Sequence, residues 1–309
     1  MTTPTLTLNN GLQMPAIGLG TWKSPQNEVA AAVKHALLES HYTHIDCAKV
    51  YENEKEIGTA FAEVFAAGTV RREDIFITSK LWNTDHDPAQ VEAVCRQTLE
   101  DLQLEYLDLY LMHWGVAFAG GKGKEPKNAD GTMELALFSI QDTWRAMENL
   151  VEKGLVKSIG VANFSAMMLV DLLSYAKVPP AMNQIELHPY NAQQALVDYC
   201  HTRNVAVTAY SPLGNKTRVK PGDPVLLDDE AVLSIAKEVG KSPAQVLLRW
   251  AVQRKTVVIP KSVTPSRISE NIAVFDFELS EDHMSRLSAL NHGQRLVDPS
   301  EWWGVPYFT

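Results

Sequence analysis

The strongest constraint on the fold of this chain is a repeated alternation of short apolar segments with longer segments of helical period. The short segments are apolar and rich in β-branched residues, as buried parallel strands are, and the longer ones place apolar residues three and four positions apart. The alternation repeats about eight times along the sequence. The strand candidates are residues 16–18, 43–45, 75–79, 107–112, 156–161, 181–185, 205–209 and 257–259.

Eight strand–helix units in 309 residues predict an α/β fold, a (β/α)8 TIM barrel, because a doubly wound sheet usually has fewer strands. A β-hairpin is predicted before the barrel, where Asn9, Asn10 and Gly11 separate two short alternating segments. Long connections at residues 115–132 and 211–224 and an aromatic C-terminal tail from residue 295 are expected to cover the mouth of the barrel. We expect residues 1–309 to form one domain.

Composition excludes several classes of partner. The formal net charge of −9 disfavours nucleic acid and anionic membrane surfaces, since both require a dominating basic field. Cys47, Cys95 and Cys200 are far apart and form no CxxC pair, so neither a disulfide framework nor a zinc site is predicted. The N-terminal residues do not resemble a signal peptide, and no run of 18 apolar residues occurs. We therefore expect a cytoplasmic protein. A monomer is expected as well, although none of these features bears on the oligomeric state.

Polar residues follow the predicted strands at the points where the strands end. Asp46 follows the second strand, Lys80 ends the third and His113 ends the fourth. The carboxyl ends of barrel strands meet at one mouth, where active sites are built. The other residues placed in this way are Asn163, Gln184, Tyr210, Ser211, Lys261 and Ser262.

Asp46, Tyr51, Lys80 and His113 form a chemically coherent set. A tyrosine has a pKa of about 10, so an adjacent ammonium such as Lys80 would make Tyr51 a better proton donor. Asp46 can hold Lys80, and His113 can direct a hydrogen bond at a carbonyl oxygen. Each residue alone has an ordinary structural explanation, as a loop aspartate, a surface lysine, a core histidine or a packed tyrosine. Their joint occurrence at strand ends favours a catalytic function.

These residues lie within ordered sequence blocks, through which the chain resembles the aldo-keto reductases over nearly its whole length. The resemblance implies that Tyr51 is the proton donor, that Asp46 and Lys80 tune it, and that His113 orients the substrate carbonyl. The blocks are GLGTW (18–22), HIDCA (44–48), YENE (51–54), SKLW (79–82), LDLYLMHW (107–114), GVANF (160–164), NQIELHP (183–189), AYSPL (209–213) and IPKS (259–262).

The resemblance also implies that NADPH or NADP⁺ lies across the barrel mouth. Gly18-Leu-Gly20 does not indicate a Rossmann site, because it lacks the third glycine of that motif. By resemblance, Asn163 and Gln184 hold the nicotinamide carboxamide and Tyr210 stacks on the ring. The other cofactor-binding residues implied by the resemblance are Gly20, Thr21, Trp22, Asp46, Ser211 and Leu213.

The phosphate end of the cofactor can be argued partly from helix chemistry. Residues 261–267 enter a helix with Thr264 as its predicted N-cap and Pro265 in its first turn, so backbone N–H groups would face an anion. Lys261 and Arg267 add positive charge, although a capped helix with two solvated cations would look the same. The resemblance assigns these positions to the 2′-phosphate and adenine of NADPH, with Ser262, Val263, Glu270 and Asn271 contributing.

The substrate is expected to be a small molecule with a carbonyl group: a small aldose, a glyceraldehyde-like compound or an aromatic aldehyde, which would be reduced to a primary alcohol. An apolar bowl is implied above the catalytic residues, and apolar walls favour broad specificity. A metal-dependent barrel hydrolase remains an alternative, suggested only by His44-Ile-Asp46, but no metal is expected. A non-catalytic barrel is a second alternative, whereas a serine hydrolase is excluded because GxSxG is absent. The implied substrate-binding residues are Trp22, Val50, Tyr51, Trp82, His113, Trp114 and Trp302.

Overall fold

The computed structural model describes residues 3–308. The chain begins with the predicted hairpin, in which β1 (Thr5–Thr7) pairs antiparallel with β2 (Gln13–Pro15). Gly11 in the connection has a φ of +87°, a conformation that a side chain would strain. The hairpin signal in the sequence is therefore confirmed.

Eight parallel strands then form one sheet in the order in which they occur along the chain. This arrangement confirms the predicted fold class. Seven strands overlap their predicted positions, but the first was predicted at residues 16–18 and lies just after them. The strands are β3 (Leu19–Gly20), β4 (His44–Asp46), β5 (Phe76–Leu81), β6 (Leu109–Met112), β7 (Ile159–Ala162), β8 (Met182–Glu186), β9 (Ala206–Tyr210) and β10 (Val257–Val258).

The sheet curls until its two edges meet. The N–H of Gly18 donates to the carbonyl of Val258 at 2.8 Å, and the N–H of Gly20 donates to the carbonyl of Pro260 at 3.1 Å. A Cβ atom on Gly20 would lie 2.7 Å from the carbonyl oxygen of Ile259, closer than carbon and oxygen can approach. Gly20 thus permits the close approach of backbones that shuts the barrel.

Helices surround this sheet and alternate with its strands. Two helices lie between β9 and β10, and one short helix lies in the C-terminal tail. No helix within residues 3–308 has the length and apolar character needed to cross a membrane. The helices are α1 (Val29–Leu38), α2 (Glu54–Ala66), α3 (Val91–Leu102), α4 (Ile140–Glu152), α5 (Ala166–Tyr175), α6 (Gln194–Thr202), α7 (Glu230–Val239), α8 (Pro243–Gln253), α9 (Pro265–Ile272), α10 (Glu281–Ser288) and α11 (Ser300–Trp303).

In the sequence, Asn53 followed by Glu56 predicts an N-cap with a reciprocal glutamate, a capping box, at the start of α2. This prediction is wrong. Asn53 occupies the N-cap position without a side-chain cap bond, and its Nδ2 donates instead to the carbonyl of Thr21 at 3.0 Å. Glu56 accepts the backbone N–H groups of Asn27 and Ala30, at 2.9 and 3.1 Å. Both side chains are engaged by the segment that follows β3, which local sequence spacing does not reveal.

Candidate active site

A buried ion pair lies at the mouth of the barrel. The Nζ atom of Lys80 donates to Asp46 Oδ1 at 2.6 Å and to the carbonyl of Cys47 at 2.8 Å. Lys80 and Asp46 are 0% and 1% exposed. A lysine without solvent must have its charge balanced and its protons bonded. The ends of β4 and β5 satisfy both needs and fix the Lys80 ammonium in place.

Tyr51 lies next to this pair, in a short 3-10 turn between β4 and α2. Its hydroxyl is 3.4 Å from Lys80 Nζ and borders the open mouth. Burial raises the pKa of Tyr51 well above its ordinary value, and the charge of Asp46 raises it further. Burial around the phenol therefore sets the direction of the net pKa shift, although the Lys80 ammonium lies next to the hydroxyl. The hydroxyl keeps its proton.

His113 faces Tyr51 edge-on, with ring centroids 5.9 Å apart. Burial lowers the pKa of His113 well below its ordinary value, and Lys80 adds to the effect, so the ring is neutral. Its Nδ1 is buried without a hydrogen-bond partner. Placing the proton on Nε2 avoids burying an unpaired N–H, and this tautomer gives the site a neutral donor at Nε2.

Two carboxamides and a phenol form a network beside the ion pair. Gln184 Nε2 donates to Asp46 Oδ2 at 2.8 Å, while Asn163 donates to the carbonyl of His113 at 3.0 Å. The hydroxyl of Tyr210 donates to Asn163 Oδ1 at 2.7 Å. Asn163 has a φ of +64°, a left-handed conformation that asparagine tolerates better than most residues. The network fixes the side chains of four strand ends relative to one another.

A cavity of about 760 Å³ opens above these groups. It brings together sixteen of the predicted site residues, and Lys80 lies beneath its floor. It also includes Val297, Trp303 and Arg218, which were not predicted as site residues. The predicted residues that line it are Gly20, Thr21, Trp22, Asp46, Val50, Tyr51, Trp82, His113, Trp114, Asn163, Gln184, Tyr210, Ser211, Leu213, Lys261 and Trp302.

One wall of the cavity is aromatic and joins the tail to the rest of the mouth. Trp303 is 4% exposed and packs edge-on against Trp82, Trp114 and Phe118, with ring centroids 6.0, 5.0 and 4.9 Å away. The predicted Trp302 lies at the rim and is 36% exposed. The aromatic composition of the tail signalled this packing, but not which tryptophan points inward.

The remaining predicted residues lie outside the cavity, in α9 and in the segment that leads into it. The amides of Ser266 and Arg267 have no hydrogen-bond partner in the described chain, and Thr264 lacks a side-chain cap bond. The guanidinium of Arg267 and the ammonium of Lys261 make no ion pair with residues 3–308. Unpaired cations next to free helix N–H groups form an environment that suits an anion. Of the other predicted residues, Ser262 and Val263 precede the helix, whereas Glu270 and Asn271 lie in its second half.

A metal site is not formed around His44. Its Nε2 lies 3.3 Å from Thr78 Oγ1, and burial lowers its pKa to about 3. Within residues 3–308, no group of three or more histidine, cysteine, aspartate or glutamate side chains is arranged to hold a metal ion. Asp46, the other polar residue of His44-Ile-Asp46, is bonded to Lys80 and Gln184.

Comparison with known proteins identifies the family to which this arrangement belongs. The model of the Aldo/keto reductase family matches residues 16–292. The chain belongs to the aldo/keto reductase family. As a member of that family it is an oxidoreductase. The matched region extends from the start of the barrel to the segment after α10.

Individual aldo/keto reductases are similar over nearly the full length. The chain is 54% identical to the mouse protein named Aldo-keto reductase family 1 member A1 over 302 residues, which cover 97% of this chain and 93% of the mouse protein. The human protein of the same name is 54% identical over 295 residues, covering 94% and 90%. A solved structure of the aldose reductase from Schistosoma japonicum superposes with a TM-score of 0.93 at 46% identity, covering 99% of this chain and 98% of that one.

Proposed function

We propose that this protein reduces aldehydes to primary alcohols with NADPH, and that Tyr51 is the proton donor. The observation that carries the proposal is the convergence of three groups at the cavity floor. The Tyr51 hydroxyl, the accessible nitrogen of neutral His113 and the Lys80–Asp46 ion pair meet at one point. Together they can bind, polarise and protonate a carbonyl oxygen.

The roles follow from the protonation states. His113 Nε2 and the Tyr51 hydroxyl both donate to the aldehyde oxygen, which fixes the carbonyl carbon above the floor. When bound, NADPH supplies the hydride that this carbon receives. As negative charge develops on oxygen, Tyr51 transfers its proton, and Lys80 at 3.4 Å stabilises the phenolate that remains. Because its pKa is raised, Tyr51 is protonated at neutral pH and can act as the donor.

Asp46 has a positioning role in this scheme. It neutralises Lys80 in the resting site and orients the ammonium through Oδ1, while Oδ2 accepts from Gln184. A buried ammonium without this carboxylate would be strongly destabilised.

The residues present fit a nicotinamide cofactor at both ends. The Gln184 side-chain oxygen accepts no hydrogen bond from residues 3–308 and lines the cavity, so it can accept from the carboxamide of the nicotinamide. At the other end, the side-chain amide of Asn271 makes no hydrogen bond with residues 3–308 and so is available to a ligand. The free amides and cations at the start of α9 suit the 2′-phosphate of NADPH, with Glu270 and Asn271 near the adenine.

The cavity walls indicate the kind of aldehyde that is accepted. Trp22, Val50, Trp82 and Trp114 present apolar surface, which favours the aromatic and small aliphatic aldehydes over strongly hydrated ligands. We further propose that residues 1–309 act as one domain and as a cytoplasmic monomer. The three cysteines within it are buried and free, as a reducing compartment requires.

The experiment that tests the function is the oxidation of NADPH, followed by absorbance, with a panel of aldose, glyceraldehyde and benzaldehyde substrates. Consumption that depends on both enzyme and aldehyde is expected. No consumption with any member of the panel would refute the assignment.

Coenzyme preference tests the proposed phosphate site. Arg267→Ala should raise the KM for NADPH by roughly tenfold or more, because a charge-assisted bond to phosphate is lost, and leave the KM for NADH unchanged. Arg203→Ala is the matched control, because it removes an exposed arginine that follows α6 and does not belong to the proposed phosphate site. An unchanged ratio of the two kcat/KM values in Arg267→Ala would contradict the site.

A further inference from the structure

The C-terminal segment, residues 295–308, is held by a carboxylate that does not line the cavity. Glu186 ends β8 and is fully buried. Its Oε1 accepts the N–H of Leu296 at 2.8 Å, and its Oε2 accepts the N–H of Val297 at 2.8 Å. One side chain of the barrel therefore binds two consecutive amides of a segment more than a hundred residues further along.

No lysine or arginine of residues 3–308 lies within ion-pair distance of this carboxylate. Its only other side-chain partner is His188, whose Nε2 lies 2.9 Å from Oε1. A buried carboxylate that lacks an ammonium or guanidinium depends on nearby N–H donors for its stabilisation, and bonds from N–H groups to an ionised oxygen are stronger than those between neutral groups. The N–H groups of Leu296 and Val297 therefore stabilise the buried carboxylate of Glu186. In return, this carboxylate holds the tail against the barrel.

The attachment point lies directly beside the cavity. The side chain of Val297 lines the cavity and packs in one cluster with Trp82, Trp114 and Trp303. The backbone of Val297 is thus fixed by Glu186 while its side chain forms part of the wall. Any movement of this backbone displaces the wall.

A second connection holds the same segment from its first residue. Gln193 Nε2 donates to the carbonyl of Glu186 at 2.5 Å, and Arg295 donates to Gln193 Oε1 at 3.1 Å. The guanidinium of Arg295 also stacks on Phe308, 3.7 Å from the ring centroid. Glu186 and Gln193 therefore fix both the start of the segment and, through Arg295, its end.

We propose that Glu186 is a positioning residue for substrate selection. Its carboxylate holds residues 295–308 over the mouth, so that Val297 and Trp303 contact the part of the aldehyde distant from the carbonyl. The inference rests on the proposed function, because it concerns the same cavity. Small aldehydes that do not reach this wall do not depend on Glu186.

Glu186→Gln in the full-length protein tests the proposal. Glutamine preserves size but places an NH2 group against one of the two backbone N–H groups. We expect hydrogen exchange at the amides of residues 296 and 297 to become at least roughly tenfold faster, since two charge-assisted bonds are weakened. The KM for 4-nitrobenzaldehyde should rise by about tenfold, while kcat and KM for glyceraldehyde stay within about twofold.

Glu301→Gln is the matched control, because it removes the same charge from the tail itself at an exposed pair with Lys220, 3.1 Å apart. It should change neither exchange nor KM. In a Trp303→Ala background, Glu186→Gln should raise the KM for 4-nitrobenzaldehyde by less than it does alone, because both act through one wall. Arg295→Gln loosens the segment without a change in the barrel interior, and it should accelerate the same exchange if Glu186→Gln does not fold.

Unchanged exchange in both Glu186→Gln and Arg295→Gln would overturn the attachment, whatever the activity. Faster exchange with equal changes in KM for both aldehydes would overturn the role in selection. If no aldehyde is reduced by the wild-type protein, the proposed function fails, and hydrogen exchange still decides whether Glu186 holds the segment.

Discussion

Individual buried charges show how tightly this site is built. Glu54 begins α2 directly after the turn that holds Tyr51, is 4% exposed, and accepts from Ser79 Oγ at 2.5 Å. Burial raises its pKa to about 7. The folded protein therefore binds a proton at Glu54 more tightly than the unfolded chain, whose glutamates have ordinary pKa values.

This shift predicts a pH-dependent stability. The contribution of protonated Glu54 is fully present below about pH 4.5 and is lost as the pH rises to about 7. Glu54→Gln stays neutral and keeps an acceptor for Ser79. Its free energy of unfolding in urea, relative to wild type, should increase by about 2 kcal/mol between pH 5 and pH 8. Glu105→Gln, at an exposed position, should show no such trend, and an equal trend in both variants would contradict the prediction.

At the residue scale, the sequence was sufficient to predict which side chains form the site. It was not sufficient to predict how burial shifts their pKa values. Asp46, Lys80 and His113 could be predicted because each follows a recognisable strand, and the structure places them around Tyr51. The direction of the Tyr51 pKa shift could not be predicted, because it depends on how many atoms surround the phenol. Glu186 was missed because its partners, Leu296 and Val297, are distant in sequence.

Secondary-structure elements determine which side chains of the tail enter the cavity. Helix α11 is only four residues long (Ser300–Trp303), yet it directs Trp303 inward and leaves Trp302 at the rim. Lys127 Nζ donates to the carbonyl of Trp302 at 3.1 Å, and Trp82 Nε1 donates to the carbonyl of Lys124 at 2.8 Å. The long loop and the tail thus close the mouth together, as their lengths and composition predicted.

The contrast between the two tryptophans gives a prediction. Trp303→Ala should raise the KM for an aromatic aldehyde by roughly tenfold or more, because it removes buried apolar surface from the wall. Trp302→Ala is the control and should change this KM by less than about threefold, because its ring is partly in solvent. Steady-state kinetics of both variants provide the measurement, and a larger effect at Trp302 would show that the inner wall is misidentified.

Element boundaries were predictable where the pattern was regular. Long apolar strands such as β5 and β6 were found, whereas β3 was misplaced because it has only two residues, Leu19–Gly20, and is defined by pairing across the barrel seam. The capping box at Asn53 failed for the same reason. Asn53 and Glu56 bond to the segment that follows β3, and these contacts replace the cap that the local sequence predicts.

The whole barrel depends on the closure between β3 and the end of β10. Gly20→Ala would push a methyl group into the backbone carbonyl of Ile259, 2.7 Å from the Cβ position. A backbone atom in a closed sheet cannot move aside easily, so we expect the free energy of unfolding to fall by about 1–3 kcal/mol. Gly120→Ala, whose Cβ would meet only Thr84 O at 3.3 Å, is the comparison. Equal stability of the two variants in urea would contradict this view of the seam.

For the molecule as a whole, we propose that the barrel mouth positions Tyr51 to protonate a carbonyl oxygen during hydride transfer. Tyr51→Phe removes the hydroxyl and leaves the Lys80–Asp46–Gln184 contacts in place. General acid catalysis is typically worth about 10²–10⁴ in rate. We predict that this variant retains NADPH binding, measured by fluorescence titration, and loses at least about 100-fold in kcat for aldehyde reduction. A phenylalanine variant that binds NADPH and reduces aldehydes at the wild-type rate would contradict the account.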